Sequence, residues 1–180
     1  MDTMQYTHLY RSPLGTITLA ADSEGLTGLW FEGQKYFAAT LDAQHEETML
    51  PIFEQTRRWL DNYFGGNDPG PTPPLHLQGS PFRLAVWEIL RQIPFGKTIT
   101  YGEIAREIAR RQGSKTVPAQ AVGGAVGHNP VSIIVPCRRV VGSNGSLTGY
   151  AGGIERKVRL LALEKADMTG LFAPQKGTAL

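Results

Sequence analysis

The chain has 180 residues, 41% of them hydrophobic and 19% charged, which suits one large or two small globular domains and excludes a disordered or fibrous protein. No apolar run approaches the ~18 residues of a membrane span, Met1 to Pro13 lacks the apolar stretch of a secretory signal, and a single cysteine, Cys137, excludes an internal disulfide, a CxxC pair and a thiolate zinc cluster. The net charge of +2 hides an asymmetry: residues 1–79 carry 4 Lys+Arg against 10 Asp+Glu, and residues 80–180 carry 14 against 6. Two modules are expected, the basic one facing a polyanion, although an electrostatic match between the halves would produce the same asymmetry.

The first third reads as β-rich. Thr7 to Arg11 and Thr16 to Ala20 are strands on either side of a Ser12-Pro13-Leu14-Gly15 turn, and Gly25 to Phe31 is a third. Pro51 to Phe64 has helical spacing through Ile52, Trp59, Leu60 and Tyr63, with Gly65-Gly66 as its stop. The segment Asn67 to Pro74, rich in Pro and Gly, is the linker, because the charge changes sign just beyond it.

The second module opens with Ser80 as helix cap and Pro81 as first helical residue, followed by Phe82, Val86, Ile89, Leu90 and Ile93 at three- and four-residue intervals. Pro94-Phe95-Gly96 ends that helix, Thr98 to Thr100 is β-prone, and Tyr101 to Arg111 forms a second helix with Ile104, Ala105 and Ile108 inward. A third helix, Pro118 to about His128, consists mainly of small residues: Ala119, Ala121, Gly123, Gly124, Ala125 and Gly127. Two short helices and a loop suit a helix-turn-helix whose second member approaches a nucleic-acid backbone. Tight helix–helix packing would use the same residues, and spacing leaves both readings open. Ser132 to Val135 is an apolar strand, Val140 to Thr148 a β-hairpin wing turning at Ser143-Asn144-Gly145-Ser146, and Ile154 to about Lys165 the last helix. The tail from Asp167 to Leu180 is polar and expected to be mobile.

Several motifs fail. Gly96-Lys97-Thr98 lacks the glycine a phosphate-binding loop needs five residues earlier, where Arg91 stands. The histidines His8, His45, His76 and His128 show no metal-ligand spacing, and no G-x-S-x-G elbow occurs. There remains Cys137. A lone cysteine is more often an inert small hydrophobe, but this one leaves a strand behind a proline and precedes two arginines, and a positive field favours thiolate.

Pro136-Cys137-Arg138-Arg139-Val140 resembles the P-C-H-R-V signature of the O6-alkylguanine-DNA alkyltransferases, the methylated-DNA–protein-cysteine methyltransferases. Phe82 to Trp87, Ile93 to Gly96, Thr100 to Gly102, Ala121 to Ala125, Asn129-Pro130 and Gly149 to Gly153 follow in family order, and the resemblance spans Tyr10 to Glu164, weaker before Ser80. It implies an N-terminal ribonuclease-H-like α/β domain (1–74), a C-terminal winged helix-turn-helix domain (75–166) and a flexible tail (167–180). It also implies DNA repair: irreversible, single-turnover transfer of an alkyl group from O6-alkylguanine to Cys137, with O4-alkylthymine as a second candidate substrate. The partner is duplex DNA entered from the minor groove, with the base flipped out because its O6 cannot be reached inside the stack. No cofactor, metal or membrane is implied. A monomer is expected, cytoplasmic and nucleoid-associated when on DNA, with clustering along DNA left open.

By position the resemblance makes Cys137 the nucleophile, Tyr101 the residue that pushes the phosphate and donates to the base, Asn129 the brace of the hinge, and Glu164 the acidic end of a Cys-His-Glu relay. Cys137 and Val140 supply carbonyls for the guanine amino group, the Ala151 N–H approaches O6, and Tyr150 lines the substrate site. Ala119, Gln120, Ala121, Gly123 and Tyr101 meet DNA. Three positions depart from the pattern. Gln120 replaces an arginine finger and Ala151 a serine found in some members. Arg138 replaces the relay histidine, and a guanidinium has no acceptor with which to take the thiol proton. Transfer slowed by Arg138 is the leading expectation. The alternatives are a lesion-binding alkyltransferase-like sensor, which Cys137 argues against, and a winged-helix regulator reading the major groove, for which the third helix has too few long polar side chains.

Overall fold

The computed structural model describes residues 4–174. Two compact units emerge, one of residues 4–78 with Pro130–Ile134 and one of Gly79–Asn129 with residues 135–174.

In the first unit, β1 (Gln5–Ser12) and β2 (Gly15–Ala21) form an antiparallel hairpin with Ser12 opposite Gly15, and β3 (Leu26–Phe31) continues the sheet on β2. The Ser12 hydroxyl closes the turn by donating to the Gly15 carbonyl at 2.6 Å. A short strand that the sequence pattern does not show, β4 (His45–Glu47), pairs in parallel with β1 and gives the order β3-β2-β1-β4. Helix α1 (Pro51–Phe64) starts at a proline and buries Phe53, Thr56, Leu60 and Tyr63, spaced three and four apart so that they share one face. It meets the sheet where His8 stacks on Phe53 and the Tyr10 hydroxyl donates to Asp61 at 2.7 Å.

The expected linker is docked at its far end: Leu26 N–H donates to the Pro74 carbonyl at 2.9 Å and His76 N–H to the Leu26 carbonyl at 2.8 Å. A Cβ at Gly25 would collide with the backbone of Pro74, so glycine is what permits this approach. Residues 132–135 are not the strand expected from their apolar run. Leu29 N–H bonds to the Pro130 carbonyl, Ser132 N–H bonds back to Leu29, and Ile133 turns at φ 70°. The segment 131–135 is buried, but as tight turns, because burial by itself rewards apolar side chains whatever the backbone does.

In the second unit, α2 (Pro81–Arg91) is capped by the Ser80 hydroxyl, which accepts from Arg83 N–H, and buries Val86, Trp87, Ile89 and Leu90. Helix α3 (Tyr101–Gln112) has a reciprocal Thr100–Glu103 capping box and ends at Gly113 in the left-handed region. Helix α4 (Ala119–Gly127) packs through Val122, Ala125 and Val126, and the Trp87 indole fixes it by donating to the Ala125 carbonyl at 2.8 Å.

Two expectations fail in this unit. The wing does not form a hairpin ladder. The Asn144-Gly145 turn closes with Gly142 N–H on the Ser146 carbonyl, but β6 (Val140–Val141) pairs in parallel with β5 (Ile99–Thr100), and Ser146 pairs with Phe172. Val140 and Val141 pair with β5, and the Val140 carbonyl accepts from Lys157 Nζ. The tail likewise departs from mobility: Met168 and Leu171 pack against Val141, Leu147, Leu161 and Ala166, beside α5 (Ile154–Leu163). The rest of the expected tail, 175–180, lies outside the described residues. Among the described residues no helix is long and apolar enough to cross a membrane.

Candidate active site

Cys137 opens a single turn of 3-10 helix, Cys137–Arg139, entered through Pro136. Cys137 N–H donates to the Val135 carbonyl at 2.8 Å and Val140 N–H closes the turn on the Cys137 carbonyl. Asn129, just past the end of α4, does more than brace backbone: its Nδ2 donates to the Val135 carbonyl at 2.8 Å and to the Cys137 sulfur at 3.2 Å. The sulfur is thus held by a side-chain donor in a residue only 3% exposed.

Burial pushes the Cys137 thiol up from its ordinary value, while the Asn129 hydrogen bond and the charges of Arg138 and Lys157 pull it down. Burial prevails, so the resting thiol is protonated at neutral pH. Tyr101, the first residue of α3, is also pushed up, by burial and then by Cys137, and stays a phenol. Its hydroxyl donates to the Thr148 carbonyl at 3.0 Å. Gly149 permits this: it turns at φ 83°, and a Cβ there would fall on the Tyr101 hydroxyl.

Arg138 and Glu164 meet as expected, but in a closed clamp. Arg138 Nε donates to Glu164 Oε2 at 2.5 Å, Arg139 Nε to Oε1 at 2.7 Å, and Gly96 N–H to Oε1 at 3.1 Å. Both residue 138 and residue 164 are buried, and the Arg139 Nη1 also holds the Ile93 carbonyl at 2.7 Å. One carboxylate therefore pairs with two guanidiniums, a net charge of +1 for the three groups, and joins the active-site turn to the end of α5. With Arg138 in the place of the expected histidine, the groups it meets on this turn are two guanidiniums rather than an imidazole.

Two functional groups escaped the sequence reading. Arg139 was visible only as one of two arginines after the cysteine. Lys157 is fully buried on α5 and its Nζ donates to the Val140 carbonyl at 2.5 Å and the Thr148 carbonyl at 3.0 Å. Its signal was available: it lies three residues after Ile154 and four before Leu161, a charge inside an apolar stripe. Val140, expected to offer a carbonyl to substrate, thus already holds an ammonium. Tyr150 is buried and Ala151 half-buried beside it.

The two readings left open for α4 separate here. Its packing face is Val122, Ala125 and Val126, whereas Ala119, Gln120, Ala121 and Gly124 are exposed and Gly123 half-buried. A Cβ on Gly123, Gly124 or Gly127 would meet nothing within 4 Å. Ala125 packs inward, whereas Ala119, Ala121 and the three glycines leave bare helix backbone on the outer face.

In the first unit the structure gathers Asp22, Glu24 and His76, groups that the sequence spacing of the histidines does not connect, with one ligand atom of each within 4.8 Å of the others. Both ring nitrogens of His76 are taken, Nδ1 by Asp22 at 2.5 Å and Nε2 by Glu24 at 3.1 Å. The arrangement is a histidine bridging two carboxylates.

Comparison with known proteins agrees along the chain. The family profile of the 6-O-methylguanine DNA methyltransferase DNA-binding domain matches residues 81–166, and that of the ribonuclease-like domain of the same enzymes matches residues 5–75. The methylated-DNA–protein-cysteine methyltransferase of Haemophilus influenzae is 41% identical over 92% of this chain and 88% of its own length. That of Methanosarcina acetivorans is 42% identical over 88% of this chain and 97% of its own. The crystal structure of Mycobacterium tuberculosis OGT in complex with DNA superposes with a TM-score of 0.76 at 39% identity, covering 92% of this chain and 98% of that one.

Proposed function

The chain belongs to the 6-O-methylguanine DNA methyltransferase family, and from that membership and the geometry around its one cysteine we propose that it repairs DNA by moving the methyl group of O6-methylguanine onto Cys137. The observation that carries this reading is the sulfur itself: held by Asn129, flanked by the cations of Arg138 and Lys157, and coupled to the Tyr101 phenol. The thiolate attacks the methyl carbon as its bond to O6 breaks, leaving a thioether that nothing in the site can cleave, so each molecule acts once.

Duplex DNA is the partner, approached from the minor groove by the bare face of α4, with Gln120 entering the gap left by the flipped base. Phosphate contacts from the basic second unit make binding steeply salt-dependent. O4-methylthymine is a second candidate substrate, and the protein acts as a monomer associated with the nucleoid. Because Cys137 is 3% exposed, the site opens locally when the base enters.

The second reading, a lesion sensor that binds without transfer, is favoured only by Arg138, which cannot serve as a base. Mass spectrometry of the Cys137 peptide after incubation with O6-methylguanine DNA separates the two. One added methyl supports transfer; tight binding with an unmodified peptide supports the sensor. If the missing imidazole limits the rate, Arg138→His accelerates single-turnover transfer by ~10²–10⁴. Equal rates defeat the relay argument.

A further inference from the structure

We propose that Trp87 is a positioning residue for the transfer, fixing the end of α4 so that the Asn129 amide meets the Cys137 sulfur; the inference rests on the alkyl-transfer reading above. Trp87 stands in the middle of α2 and is 1% exposed. Its indole Nε1–H donates to the Ala125 carbonyl at 2.8 Å, a buried bond. The opposite edge of the ring faces Gly79, where a Cβ would come within 2.9 Å of the indole Cη2. Backbone therefore packs directly on one edge of the indole while a helix carbonyl holds the other.

That carbonyl lies where α4 stops. A helix running on through residue 129 would pair Asn129 N–H with the carbonyl four residues back, Ala125. Instead Asn129 N–H goes three residues back, to Val126 at 3.3 Å, and the Ala125 carbonyl accepts from Trp87. One residue earlier, the Gly124 carbonyl accepts from His128 N–H at 3.1 Å and from its Nδ1 at 2.7 Å. The last carbonyls of a helix need partners from outside its own ladder, and here an indole and an imidazole supply them. The chain then turns away at Asn129, whose amide has no slack. A primary amide carries two hydrogens; Nδ2 gives one to the Val135 carbonyl at 2.8 Å and one to the sulfur at 3.2 Å. It cannot follow a displaced sulfur without giving up the carbonyl, so its aim is set by the helix end, and the helix end by Trp87.

The consequence falls on the nucleophile. An N–H donor binds thiolate more strongly than thiol, so a well-aimed amide eases ionisation of the buried sulfur and a misplaced one does not. Trp87 acts through Ala125 and Asn129 rather than on the reacting atoms.

The test reads the thiol first, by ultraviolet absorbance, unambiguous with one cysteine. Trp87→Phe keeps a ring but deletes the N–H. It is expected to raise the pH at which Cys137 titrates by at least ~0.5 pH unit, against about 1–2 pH units for Asn129→Ala. In the double variant the shift equals that of Asn129→Ala alone, because residues acting through one another are not additive. Leu90→Val is the packing control: it opens a cavity on the same helix and is expected to lower the Tm without moving the thiol. Single-turnover transfer at saturating O6-methylguanine DNA is expected to slow at least ~3-fold in Trp87→Phe and to hold its rate in Leu90→Val. The parent protein supplies a readout that needs no variant: by NMR, the Trp87 indole N–H resonance is expected to move when iodoacetamide alkylates Cys137, while that of Trp59 on α1 stays in place. An unshifted thiol in Trp87→Phe, additive shifts in the double variant, an equal shift in Leu90→Val, or an unmoved Trp87 resonance overturns the proposal. If the parent leaves the DNA methylated, the transfer reading falls instead, while the titration and the indole resonance still decide whether Trp87 aims Asn129.

Discussion

Replacing the hub of the buried clamp with its neutral isostere, Glu164→Gln, tests whether that carboxylate is the keystone of the active-site turn. In the native protein Glu164 faces Arg138 at 2.5 Å and Arg139 at 2.7 Å, with side-chain exposures of 0% for the acid and 1% and 10% for the bases. The amide keeps one acceptor oxygen but turns two donor hydrogens toward guanidinium groups and removes the negative charge that both buried cations face. Removing one partner of a buried pair costs about 3–5 kcal/mol because the survivor remains desolvated. Here the two pairs share one acid, so the loss is counted once, near the upper part of that range. At roughly 2–4 °C per kcal/mol for a chain of this size, a loss of about 4–5 kcal/mol lowers the apparent Tm by about 8–20 °C. Calorimetry and denaturant unfolding at neutral pH measure it. A variant within about 1 kcal/mol of the parent would refute the assignment, since it would mean that the arginines find other counter-charges or water.

Three further substitutions probe the surroundings. Asn129→Ala removes the donor to the sulfur and is expected to raise the pH at which Cys137 titrates, slow its alkylation by iodoacetamide, and cost about 1–3 kcal/mol; an unchanged thiol titration counts against Asn129 as a thiolate donor. Gly149→Ala places a Cβ at φ 83° and against the Tyr101 hydroxyl, so a loss of at least ~2 kcal/mol and of methyl transfer is expected, measured by thermal melting and by the mass shift of the Cys137 peptide. Gly123→Ala acts in the opposite sense on stability: with nothing near its Cβ it should stabilise α4 by up to ~1 kcal/mol while weakening DNA binding in a fluorescence titration. Undiminished affinity there would remove this face of α4 from the DNA contact.

Most helices of this protein are written locally. Ser80-Pro81, the Thr100/Glu103 box, Gly113 and the three-four spacing of buried residues in α1, α2 and α3 are decided by neighbours along the chain, so the sequence is enough to place them. The setting of Cys137, behind a proline and before two arginines, was legible for the same reason, but the balance that raises its thiol was not, because burial outweighs the arginine field; the family resemblance added Tyr101, Asn129 and Glu164 as candidates. Other features depended on contacts between distant segments. Residues 132–135 are apolar enough for a strand but turn instead: Ser132 N–H is held by the Leu29 carbonyl, Ile134 N–H folds back on Ser132, and the Val135 carbonyl accepts from Cys137 N–H. The wing lost its ladder to β5, and residues 168 and 171 of the tail found an apolar cluster to join. Whether the small residues of α4 pack or face outward turned on which side met α2 and α3. The placing of Lys157 on the carbonyls of Val140 and Thr148, and of one glutamate between two arginines, likewise follows from how α5 lies against the active-site turn. A side chain's charge is fixed by its own chemistry, but its ease of losing a proton depends on burial and partners, and these exist only once the chain has folded.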